Sequence, residues 1–174
     1  MAIKTIITEP NKILRQKSKP VETVGEEERK LMDDMLDTMY QANGIGLAAI
    51  QIGIAKRIII MDISKDEKKK NPMYFVNPKI KNKHSENFTY EEGCLSVPNY
   101  FAEIDRPKKC EVEYLDYNGQ KQMLIAEGLL STCIQHELDH LEGILFIDYL
   151  SKLKKTMIIK KLSKHKDRPD RIIV

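Results

Sequence analysis

The stretch Gln135-His136-Glu137-Leu138-Asp139-His140 constrains this 174-residue chain more than any other. It places His-Glu-x-x-His at the end of a run that reads as helix. A helix advances about 100° per residue, so His136 and His140 share one face, about one turn apart. Two imidazoles so placed can hold one metal ion, and Glu137 beside them can reach a water on that ion. The arrangement suits metal-assisted attack on an amide or ester carbonyl. The five-residue pattern also arises by chance, so a polar helix with two surface histidines stays the alternative until a third ligand is found.

A catalytic site of this kind takes three protein ligands and keeps one position open. Downstream of His140 the candidates fail. Gly143 stands where the longer His-x-x-Gly-x-x-His pattern has its glycine, but the final position is Phe146, which cannot ligate. The helix-like run from Ser151 to Lys164 holds no acidic residue, which disfavours a general metallopeptidase. Cys133 lies seven residues before His140, about 10.5 Å along the helix axis, too far for one ion that also binds His136. It reads as a packed thiol near the site. Upstream, the best candidate is Cys94, within Glu91-Glu92-Gly93-Cys94-Leu95-Ser96-Val97-Pro98. Gly93 frees the backbone and Pro98 ends the segment, which puts Cys94 on a short loop or strand end. A thiolate is a sensible partner for two imidazoles; an inert buried cysteine is the other reading.

Glu92-Gly93-Cys94-Leu95-Ser96, taken with Gln135-His136-Glu137-x-Asp139-His140, resembles the peptide deformylases. That family's remaining motif, Gly-x-Gly-x-Ala-Ala-x-Gln, is similar to Gly44-Ile45-Gly46-Leu47-Ala48-Ala49-Ile50-Gln51, and all three occur in the family's order. Asn77-Pro78 and Leu145-Phe146-Ile147-Asp148 extend the resemblance over nearly the whole chain. It implies a metal-dependent hydrolase that removes the N-formyl group from the formyl-methionine of new polypeptides and releases formate. Cys94, His136 and His140 would be the metal ligands. Water on the metal would be the nucleophile, with Glu137 as general base and then acid. The Gln51 side chain and the Leu95 backbone N–H would stabilise the oxyanion. Gly44, Ile45, Gly46, Tyr90, Glu92, Gly93, Leu129 and Cys133 would border the substrate. The implied metal is one Fe²⁺ per chain, with Zn²⁺, Ni²⁺ or Co²⁺ as substitutes. The implied partners are N-formylmethionyl nascent peptides and the ribosome, the latter through Lys154, Lys155, Lys160 and Lys161. Two positions depart from the family pattern. Phe101 stands where some members carry arginine, and Asn43 stands where an acidic partner of Arg106 sometimes lies.

The fold implied by the resemblance is α+β: antiparallel sheets around the central metal helix, with an N-terminal and a C-terminal helix. The residues agree. Acidic Glu26, Glu27 and Glu28 favour a helix start, and Leu31, Met32, Met35, Leu36, Met39 and Tyr40 recur at helical spacing until Asn43-Gly44. Arg57–Met61 reads as a buried strand. Tyr74–Val76 is another, closed by Asn77-Pro78, with residues 79–88 an edge strand or loop. Residues 110–117 and 120–126 form a hairpin about a two-residue Asn118-Gly119 turn. The metal helix runs from about Gly128 to Leu141. Residues 1–24 and the charged stretch 64–71 read as irregular, and Arg168-Pro169-Asp170 as a loose tail.

The length fits one domain over 1–174. No apolar run approaches the ~20 residues of a membrane span. Three cysteines, an odd number, point to a reducing compartment and hence to the cytoplasm. Residues 151–174 hold seven Lys, two Arg and two Asp, so this basic helix and tail carry +7 while the whole chain carries +3. A solvated helix face accounts for such a run, and an anionic partner is the alternative.

Overall fold

Ile58, Ile59, Ile60 and Met61 show how the layers are arranged. All four form strand β2 (Ile58–Met61) and all are fully buried. Successive side chains on a strand point to opposite faces. Ile58 and Ile60 pack with Met32, Met35 and Met39 of helix α1 (Glu26–Gln41). Ile59 and Met61 pack with Ile134, Leu138 and Leu141 of helix α2 (Leu129–Leu141). The strand is therefore apolar throughout because a helix covers each face of its sheet. Burying each such side chain contributes about 1.5–3 kcal/mol.

The structure is a computed structural model and describes residues 2–64 and 69–166. Two antiparallel sheets are present among them. The larger follows the order β1 (Gly46–Ala48), β2, β3 (Met73–Lys83), β6 (Lys109–Leu115), β7 (Lys121–Glu127). The smaller is the hairpin of β4 (Asn87–Cys94) and β5 (Val97–Pro107). Helix α3 (Lys152–Lys166) packs Leu162 into a third cluster with Val97, Ile104, Phe146 and Ile147. The α+β class, the two antiparallel sheets and the helix α2 carrying the histidines agree with the expectation.

Three local readings need correction. First, Asn77-Pro78 does not end a strand. β3 runs on to Lys83: residues 73–76 pair with β2, whereas residues 79–83 pair with β6 alone, and residues 84–86 form the loop before β4, so the edge-strand or loop reading of 79–88 holds for those parts. The register of β3 against β6 shifts between Val76 and Lys79. A bulge there accommodates proline, which has no N–H to give the ladder. Asn77 adopts φ 51° and its side chain bonds both the N–H and the carbonyl of Val21, which supports the irregular step. Second, the β6–β7 turn spans three residues. Asp116 N–H bonds the Gln120 carbonyl, and Gly119 takes the left-handed conformation, φ 78°. The Asp116 carboxylate accepts from the N–H groups of Asn118 and Gln120, and this closure selects the longer loop. Third, the sequence carries no expectation for β5: Tyr100, Ala102, Ile104 and Arg106 form its more buried side in regular alternation, but the apolar Phe101 on the exposed side hides that period, and its pairing partner is β4 alone. Part of the charged stretch 64–71 and the whole of Arg168-Pro169-Asp170 lie outside the described residues.

Candidate metal centre

Helix α2 begins after Gly128, whose φ of 59° turns the chain from β7 into the helix. Every residue from Ser131 to Leu138 is buried, together with His140 and Leu141. So many buried polar groups need partners. Gln135 donates to the Pro107 carbonyl at 2.9 Å and to the Ser131 hydroxyl at 3.0 Å, and Ser131 donates to the same carbonyl. These bonds tie the helix to the end of β5 and fix which face His136 and His140 present.

Cys94 ends β4. The ladder pairs Gly93 with Phe101 but Cys94 with Val97, and the register shift between them re-aims the cysteine. Its Sγ comes within 3.2 Å of His140 Nε2. Donor atoms of Cys94, His136 and His140 all lie within 4.8 Å of one another. The two imidazoles sit in opposite electrostatic surroundings. Burial disfavours a charge on His136, yet the adjacent Cys94 and Glu92 outweigh it and hold its pKa well above the usual value. His140 is held well below its usual value by burial and by His136. Two imidazoles and a thiolate are a donor set for a borderline divalent metal.

A chain of polar contacts lies behind His136. Its Nδ1 is 2.8 Å from Glu92 Oε2. Glu92 is also paired with Arg106, at 2.5 and 3.0 Å. Arg106 donates to Asp139 at 2.8 Å, and Tyr149 donates to the same carboxylate oxygen at 2.8 Å. Burial alone would raise the Glu92 pKa, but His136 and Arg106 bring it below the ordinary value. The arrangement orients the imidazole so that Nε2 faces the other two donors. Asp139 therefore bridges rather than facing solvent. Arg106 is buried behind the site and not on the cavity wall. Tyr149, thirteen residues beyond His136, joins this chain without any sequence signal.

The donors open into a cavity of about 450 Å³. The residues named for it from the sequence fall on its wall: Gly44, Ile45, Gly46 and Gln51 on one side, Tyr90, Glu92, Gly93, Cys94 and Leu95 on another. Leu129, Cys133, His136 and Glu137 of α2 form the floor, and His140 lies behind, buried. Thr132 and the run Val97–Phe101 also line it. Of these only Pro98 and Phe101 stood out in the sequence; Thr132 reaches the cavity from α2 and the others through β5. Glu137 is 4% exposed, and its Oε2 has no hydrogen-bond partner among the described residues. Burial pushes its pKa up to about 7. Gly46 makes room for it, because a Cβ there would collide with Glu137 Oε1 and touch Cys133 Sγ. Gln51 is buried, its carbonyl oxygen accepting from Ala48 N–H at 2.8 Å. Its Nε2 lies 3.0 Å from Ser96 Oγ and 3.6 Å from Cys94 Sγ, so an amide N–H₂ stands beside the metal cluster.

A Cys-His-His cluster with a buried carboxylate one residue from a ligand defines a metal-dependent hydrolase. Comparison with known proteins agrees. The family model for polypeptide deformylase matches residues 3–156. The peptide deformylase of Pelagibacter ubique (strain HTCC1062) is 75% identical over 174 residues, covering 100% of both chains. That of Rhizobium meliloti (strain 1021) is 54% identical over 164 residues, 94% of each. The crystal structure of the Ehrlichia chaffeensis peptide deformylase superposes with a TM-score of 0.91 at 43% identity, covering 98% of this chain and 100% of that one. The chain belongs to the polypeptide deformylase family. It is a metal-dependent hydrolase that removes the N-formyl group from formyl-methionine peptides. No helix among the described residues is long and apolar enough to cross a membrane.

Proposed function

We propose that Cys94, His136 and His140 hold one ferrous ion and that Glu137 carries the proton transfers of deformylation. The convergence of the three donor groups beside a buried, unpartnered carboxylate oxygen carries this reading. A divalent ion in that position supplies a Lewis acid for the formyl oxygen and lowers the pKa of nearby water toward neutrality. Glu137 takes a proton from the attacking water as the new C–O bond forms at the formyl carbon. It then delivers a proton to the departing amine nitrogen as the C–N bond breaks, and formate is released. Gln51 Nε2 and the backbone N–H of Leu95 donate to the oxygen on which negative charge develops. Gly44, Ile45, Gly46, Tyr90, Gly93, Leu129 and Cys133 shape the wall against the methionine side chain. Glu92 holds His136 in its ligating orientation.

The finer assignments follow from the same reading. Residues 1–174 act as one domain in the cytoplasm, where a thiolate ligand and ferrous iron both stay reduced. Zn²⁺, Ni²⁺ or Co²⁺ can replace iron in the same donor set. The basic helix α3 contacts ribosomal RNA. Lys155 is engaged with Asp148 at 2.5 Å, which leaves Lys160 among the exposed lysines for that contact. The deciding experiment is formate release from formyl-Met-Ala-Ser by anaerobically purified protein of measured metal content. Rapid release that Glu137→Ala abolishes without loss of metal supports the assignment. Metal-replete protein that releases nothing refutes it, and iron-free protein purified anaerobically refutes the choice of metal. Ribosome pelleting that Lys160→Glu leaves unchanged at low salt tells against that lysine's part in the contact.

A further inference from the structure

A second groove lies beside the substrate cavity, between β5 and α3, with a volume of about 530 Å³. Tyr100 and Phe101 line both. The helix contributes Lys154, Met157, Ile158 and Lys161, which follow the i, i+3, i+4, i+7 spacing of one helix face. Phe101 is 66% exposed. Its ring lies against the backbone of Gly93, where an added Cβ would be 2.5 Å from Cε1. The ring thus forms a sill directly over the segment that carries Cys94, with one groove on each side. Neither Lys154 nor Lys161 has an ion-pair partner among the described residues, and the only acidic side chain on the wall is Glu103.

We propose that this groove is a docking subsite for the downstream part of the same formylated peptide, and that it prefers segments mixing apolar and acidic residues. The inference rests on the deformylase reading, because the occupant must arrive from the cavity that holds the formyl group. Two observations select this occupant. The groove is continuous with the substrate cavity through Tyr100 and Phe101. Its floor is apolar, through Met157 and Ile158, and its rim carries two lysines against one glutamate. Extended peptide advances about 3.3 Å per residue, and Phe101 borders both grooves, so a few residues of extended chain span the step from one to the other. The lysines supply long-range attraction and the apolar floor supplies contact area, so the effect falls on binding and not on chemistry.

The test compares formyl-Met-Ala-Ser with peptides extended by about four residues, or about 13 Å of chain. The extensions are acidic–apolar, neutral or basic. The acidic–apolar extension should lower KM about three- to tenfold at low salt, as expected for two exposed ion pairs, with kcat unchanged. The gain should vanish in about 0.5 M salt, where exposed charges are screened. The double variant Lys154→Glu/Lys161→Glu should transfer the preference to the basic extension. Fluorescence anisotropy of labelled, already deformylated peptides should give the same ranking without turnover. Equal KM for all three extensions, or a preference that charge reversal leaves in place, overturns the proposal. RNA binding that the same double variant abolishes, with no effect of extension, assigns these lysines to RNA and overturns it as well. Failure to hydrolyse even the tripeptide counts against the deformylase reading itself, whereas normal tripeptide turnover with no extension effect counts only against the groove.

Discussion

Helices α2 and α3 are similar in length and opposite in environment. α2 is buried on nearly every side and carries polar residues, most of which are held by a named partner or face the metal cluster, the Thr132 hydroxyl being the exception among the described residues. α3 buries Leu162 and half-buries Ile158 and Ile159, while Leu153 and Met157 stay exposed among lysines. The difference teaches that chemistry here depends on polar groups whose geometry is over-determined by packing. The outer face of α3 is instead built from groups left exposed. A change in α2 should therefore act on kcat or on global stability, and a change on the outer face of α3 on neither.

The largest effect should come from Glu137→Gln. It keeps the shape but removes the base, so kcat should fall about 10²–10⁴-fold while metal content and melting temperature hold. Loss of metal in this variant would break the distinction between ligand and base. Next is Glu92→Gln, which leaves the Arg106 charge without its closest partner in a buried setting. Removing one member of such a pair costs about 3–5 kcal/mol, and loosening a ligating imidazole costs about 10–100-fold in metal affinity. Urea unfolding and metal titration read the two effects separately. A variant as stable as the parent would show that Arg106 is satisfied by Asp139 alone.

A smaller contrast lies within α3. Leu162→Ala should destabilise by about 2–5 kcal/mol, as for a buried leucine. Leu153→Ala, 72% exposed, should fall within about 0.5 kcal/mol of the parent. Equal effects in denaturant melts would mean that Leu153 is covered by something. The smallest effect is a pH dependence at Asp148, which joins Arg15 at 2.5 Å, Lys155 and the Leu145 N–H. Burial would raise its pKa, but these partners bring it below the ordinary carboxylate value. Its stabilisation is fully present above the unfolded value of about 3.9 and is lost as pH falls through the lower folded value. Asp148→Asn should remove that part of the acid dependence, lowering stability above about pH 4 while changing it little near about pH 2. An unchanged acid-unfolding curve would exclude Asp148 as a contributor.

Much of the site was legible along the chain because its chemistry is local. His136, Glu137 and His140 share a face through helical geometry alone, and the methionine stripe of α1 follows the same 3.6-residue period. Cys94 was reachable by elimination and by resemblance, since a glycine on one side and a proline close on the other mark a shaped turn. Asn118-Gly119 announced a hairpin, though the Asp116 side chain set its loop length.

Tertiary structure decided the remainder. Glu92 meets His136 across 44 residues of sequence, and Arg106 and Tyr149 complete that chain from two other elements. The burial that pushes Glu137 up to about 7 belongs to no single segment. β5, and with it the sill formed by Phe101, exists only through pairing with β4. The physical reason is range. Periodicity, turn chemistry and ligand spacing act over a few residues and are written in the sequence directly. Partner choice, desolvation and the joining of two grooves are set by which surfaces come to face each other after packing.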